Sequence, residues 1–151
     1  FLRFLERDRR HPDDEPISLG LADVVVVGMG RVGTGAYNHA RDLGRKVVGL
    51  DSDLGKVARH LHEGRRVVYA DAEDPLLWHR LHLDHVRVIM LAVPDTEAKI
   101  LASEQLRRRG FTGLISATYV WPEERPDPRC GGRCDLQLFC RGGRRPRGRY
   151  L

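Results

Sequence analysis

Val24-Val25-Val26-Val27-Gly28-Met29-Gly30-Arg31-Val32-Gly33 decides the fold. Four consecutive valines predict a strand covered on both faces, where a continuous β-branched run fits better than an alternating one. The glycines at 28, 30 and 33 then turn the chain into a helix. Gly28 allows the sharp turn, Gly30 lets backbone approach a pyrophosphate, and Gly33 lets the helix pack closely on the strand. Unpaired N–H groups at the helix start, with the helix dipole behind them, favour a phosphate there. A second apolar run, Val47 to Leu50, follows the helix stop Gly44 and ends in Asp51. Asp51 stands 18 residues after Gly33, near the spacing of an acid that accepts from ribose hydroxyls. An acid in that place favours NAD or AMP over NADP. Arg31 has two open readings, a phosphate contact or a solvated residue at the helix start.

The chain has 151 residues and a formal charge of +5, unevenly spread. Residues 125–151 hold eight Arg and two Asp, a net of +6, which leaves the first 124 residues near −1. The basic character therefore belongs to a tail. Cys130, Cys134 and Cys140 also lie there, so cysteine usage says nothing about the compartment of the rest. Cys130 and Cys134 have three residues between them and no histidine pair after them, which argues against a zinc site. No apolar run approaches the roughly 18–20 residues of a membrane span, and residues 1–10 lack the pattern of a signal peptide. A start at Phe1 suggests a fragment of something longer.

Residues 1–20 read as a lead-in, with Phe1, Leu2, Phe4 and Leu5 on a short amphipathic turn and a Pro-rich break at 12–16. From residue 21 to 122 strand and helix patterns alternate. Strands are expected at 23–28, 46–50, 66–69, 86–92 and 113–118, and helices at 31–43, 53–63, 74–82 and 96–109. The expected fold is α/β, a single Rossmann-like domain with a doubly wound parallel sheet. Residues 123–151 read as disordered or out of frame, since an Arg-, Gly-, Pro- and Cys-rich run is what GC-rich coding sequence yields in a shifted frame. The functional alternative for this tail is polyanion binding.

In such sheets ligands bind at the carboxyl ends of the strands. The candidate cofactor-binding set is therefore Gly28, Met29, Gly30, Arg31, Val32 and Gly33, then Asp51, Ser52 and Asp53, then Asp71 and Ala72, then Ala92 and Val93. Asp71 would accept from an adenine amino group or cap a helix. Asp53 would touch the ribose or, the stronger reading, cap the second helix. His60 and His62 are expected on an exposed face. His79, His82 and His85 read as a solvated helix end, Trp78 as a packing anchor, and Arg107-Arg108-Arg109 as cations at a helix C-terminus. No catalytic or metal-ligating set stands out, so cofactor binding without chemistry leads. The enzymatic alternative is the cofactor-binding half of an NAD-dependent oxidoreductase.

Val26-Val27-Gly28-Met29-Gly30-Arg31-Val32-Gly33, Gly49-Leu50-Asp51-Ser52-Asp53, Asp71-Ala72-Glu73-Asp74-Pro75 and the run into Ala92-Val93-Pro94-Asp95 resemble the N-terminal nucleotide-binding domain of RCK proteins, also called TrkA-N. The resemblance spans about residues 22–122 and is nearest to domains attached to Kef-type potassium/proton antiporters. It implies a cytoplasmic homodimer at the inner membrane that binds NAD(H) or AMP and regulates a potassium transport or efflux system through conformational gating. The basic residues after the fifth strand through which some Kef-type domains respond to glutathione adducts have no counterpart in Ser116-Ala117-Thr118-Tyr119-Val120.

Overall fold

The computed structural model describes residues 17–118 and the strand at 136–138. Strands β1 (Val24–Val27), β2 (Val47–Asp51), β3 (Val67–Tyr69), β4 (Val88–Leu91), β5 (Leu114–Ala117) and β6 (Leu136–Leu138) form one sheet. Its order is β3-β2-β1-β4-β5-β6, and every pairing is parallel. Helices α1 (Arg31–Asp42), α2 (Leu54–His62), α3 (Leu77–Arg80) and α4 (Thr96–Arg108) join the first five strands. The four valines of β1 explain their own number. Val25 and Val27 enter a core with Trp78 of α3 and Ala102 and Leu106 of α4. Val24 and Val26 enter the opposite core with Tyr37 of α1 and Val57 of α2. Both faces of the central strand are thus dry, as a doubly wound sheet requires.

β1 lies between β2 and β4, so the winding direction reverses across the β1–β4 pair. In doubly wound sheets a ligand crevice forms outside the carboxyl ends of the strands at such a reversal. Backbone bonds tie the crevice floor together: Gly28 N–H donates to Leu50 O at 2.8 Å, and Ala92 N–H donates to Val27 O at 2.7 Å.

Three elements differ from the sequence expectation. The third helix is one turn, 77–80, rather than 74–82. Asp74 Oδ1 accepts from Leu76 N–H at 2.9 Å, which holds the residues before it in a turn. After Arg80 the chain extends, and Leu81 bridges to Ile17. Among the described residues the packing therefore includes Ile17 and Leu19, outside the 21–122 span, with Leu19 only 1% exposed in the core. The third difference is β6, which lies inside the segment expected to lack order and adds an edge to the sheet. The remaining tail, its three cysteines, and the amphipathic turn at residues 1–5 lie outside the described residues.

Candidate nucleotide site

The three motif glycines are required for different reasons. Gly28 has φ +91°, a left-handed value that L side chains rarely adopt, and a Cβ there would lie 3.0 Å from backbone atoms of Ala92 and Val93. A Cβ on Gly33 would lie 1.7 Å from the Gly28 carbonyl oxygen, so the helix sits directly against the turn. Both glycines are demanded by the fold. Gly30 is not: a Cβ there would meet nothing within 4 Å, and its backbone is extended (φ −72°, ψ −163°). Gly30 is also the N-cap of α1, where it offers no side-chain cap, and the first turn carries no acidic residue. The helix therefore opens toward the crevice with uncapped N–H groups, a setting suited to an anion.

Asp51 is only 7% exposed and builds the turn from the other side. Its Oδ2 accepts from Met29 N–H at 2.7 Å and its Oδ1 from Asp53 N–H at 2.9 Å. Lys56 Nζ lies 4.0 Å from Oδ2. Each carboxylate oxygen keeps a further lone pair for a hydroxyl. Asp51 is thus a positioning group for the glycine turn as well as a candidate ribose acceptor, a double role that spacing alone does not reveal.

The other candidates divide clearly. Arg31, Val32, Ser52 and Asp53 are exposed beside the turn. Asp53 caps α2 by accepting from Lys56 N–H at 3.0 Å, and that bond lowers its pKa below the ordinary 3.8. Met29 offers a ligand neither side chain nor N–H. Its side chain is fully buried against Gly49, and its N–H is spent on Asp51. Asp71 is exposed and accepts from Glu73 N–H at 2.9 Å, a local turn rather than a helix cap. Ala72 is buried in the core, while Ala92 and Val93 stand half-buried against Gly28.

His60 corrects the sequence reading. It is 2% exposed rather than on an outer face. Three residues beyond buried Val57, it falls on the same inward stripe of α2, and its polar ring finds a partner in Met29 O at 2.9 Å. Lys99, also 2% exposed, escaped the sequence reading as well; its Nζ donates to Thr118 O at 2.5 Å, joining α4 to the end of β5. Trp78 is fully buried, as a packing anchor should be, although its indole N–H finds no hydrogen-bond partner among the described residues. A separate concavity of about 550 Å³ opens at the opposite end of the sheet, lined by residues that include Asp23, Arg45, Lys46 and His85. It is far from the glycine turn in topology, being formed where strands begin.

Solved structures share this fold. The NAD(P)-binding domain of an exopolyphosphatase-related protein from Archaeoglobus fulgidus is 22% identical at a TM-score of 0.60, covering 69% of this chain and 77% of that one. The TrkA-N domain of the inner membrane protein ybaL from Escherichia coli is 20% identical at 0.57, covering 68% and 77%. A GsuK channel bound to NAD is 20% identical at 0.59, covering 82% of this chain but only 23% of the channel. No curated protein matches the chain. Among the described residues no helix is long and apolar enough to cross a membrane. The TrkA-N domain model matches residues 24–118, and over that span, more than half its length, the chain belongs to the TrkA-N family.

Proposed function

We propose that this chain is a regulatory nucleotide-binding module that takes NAD(H) or AMP at the Gly28–Gly33 turn. One observation carries the reading. Gly30 has space for a side chain, so its glycine is unexplained by packing and explained by a phosphate resting on the uncapped start of α1. The neighbours described as NAD(P)-binding or solved with NAD are consistent with this ligand class. In this account the phosphates lie over Gly30 and Arg31. The ribose hydroxyls donate to Asp51, with Ser52 and Asp53 beside it. Asp71 and the Ala92-Val93 turn border the two sides of the crevice.

The wider role is a homodimer that transmits nucleotide binding to a bacterial potassium transport or efflux system, of cation/proton antiporter type, at the cytoplasmic face of the membrane. A ligand does this only if it binds one dimer arrangement better than another. The reading is of binding without turnover. Calorimetric titration of the chain with NAD+, NADH, AMP, ATP and NADPH tests it. Saturable binding of NAD(H) or AMP, with NADPH weaker, is the expected result. Hydride transfer to any added substrate, or heat of binding from none of the five, overturns it.

A further inference from the structure

We infer that His60 and Arg65 form a relay that aims the Gly30 N–H at the phosphate site. The inference rests on the nucleotide-binding reading for its ligand and on geometry for its mechanism. His60 Nδ1 lies 3.3 Å from Arg65 Nη1, and His60 Nε2 lies 2.9 Å from Met29 O. A guanidinium only donates, so Nδ1 accepts and the ring proton sits on Nε2. Nε2–H therefore donates to the Met29 carbonyl. Thr34 Oγ1 donates to the same oxygen at 3.2 Å. Arg65 is itself held, its Nε donating to Asn38 Oδ1 at 3.0 Å and its Nη1 to the Glu63 carboxylate.

The Met29 carbonyl and the Gly30 N–H belong to one peptide unit. That unit is planar and trans, so the two groups point in opposite directions. With the carbonyl drawn inward by His60 and Thr34, the Gly30 N–H is turned outward, where Gly30 is exposed. On the preceding peptide Asp51 fixes the Met29 N–H. The two peptides of the turn are thus clamped from opposite ends, one by a carboxylate and one by an imidazole. His60 is a positioning residue: it touches the backbone behind the donor and never the ligand. The ligand class it serves is a pyrophosphate or phosphate ester, and adenosine, which has no phosphate, gains nothing from it.

The test compares His60→Leu, His60→Gln and Arg65→Met with the unaltered chain, using NAD+ and adenosine as probes. Gln carries an amide N–H close to the Nε2 position. NAD+ affinity is expected to fall about tenfold in His60→Leu, the scale of one misaimed bond to a charged group. Recovery to within about threefold in His60→Gln is expected, with adenosine affinity unmoved in all. Arg65→Met, which leaves the buried ring in place, guards against a fold lost with His60 and should weaken NAD+ severalfold. Equal NAD+ affinity in all four proteins overturns the relay, as does a loss shared by adenosine. The amide resonance of Gly30 in a heteronuclear NMR spectrum reads the same relay without ligand. It should shift in His60→Leu and return in His60→Gln. If NAD+ fails to bind the unaltered chain, the nucleotide reading falls, and the Gly30 resonance alone decides the relay.

Discussion

The glycine turn separates two kinds of requirement that one motif usually hides. Gly33 is required by protein, because any Cβ would strike the Gly28 carbonyl. Gly33→Ala should therefore cost roughly 1–3 kcal/mol of stability through overpacking, read as a lower urea midpoint. Under the proposed function Gly30 is instead required by the ligand, since packing leaves room for a side chain there. Gly30→Asp places a favoured cap residue at the start of α1 in open space. Its stability should stay within about 0.5 kcal/mol of the parent, while its carboxylate repels a phosphate and NAD+ binding drops at least tenfold. A variant that binds normally would show that Gly30 is not under the phosphates. Asp51 holds the turn by accepting from Met29 N–H, and in the proposed function it accepts from the ribose as well. Asp51→Ala should weaken NAD+ by about 1–3 kcal/mol, the scale of hydrogen bonds to a charged group, and loosen the Met29 amide as well. Unchanged affinity would remove Asp51 from the site.

At the scale of elements, α2 holds the turn in place through both of its ends. Its N-cap Asp53 lies beside Asp51, and its inward His60 reaches Met29. Two carboxylates near its ends titrate below their ordinary values. Asp53 is lowered chiefly by the Lys56 N–H, and Glu63 chiefly by its hydrogen bond with Arg65. A depressed folded-state pKa stabilises above the unfolded values, 3.8 for Asp and 4.5 for Glu, and that stabilisation is lost as pH falls through the lowered ones. The urea midpoint should accordingly decline as pH is lowered past those values. Asp53→Asn, which caps without titrating, should flatten part of the decline. An identical slope in that variant would contradict the assignment.

Over the whole molecule, the doubly wound parallel sheet was legible because β1, β2 and β4 are continuous apolar runs separated by helices, whereas the strand order came from the structure. The place of Asp51 at the carboxyl end of β2 was legible from the apolar run that it closes. What stayed hidden depends on contacts between distant residues. His60 reads as polar and hence outward until its spacing from Val57 is set against the Met29 carbonyl it reaches. Met29 reads as part of a binding loop until Gly49 opens the space that swallows its side chain. The shortness of α3 follows from the Asp74 turn and from Leu81 pairing with Ile17, neither of which a helical pattern can foresee. The central claim is that a phosphate rests on the glycine turn at the carboxyl ends of the strands. The direct measurement is amide chemical-shift mapping of the chain on addition of NAD+. The account predicts shifts at Gly30, Arg31, Val32 and Ser52, with the Gly44–Lys46 loop at the opposite end unmoved. Shifts confined to that opposite end, or none at all, would contradict it.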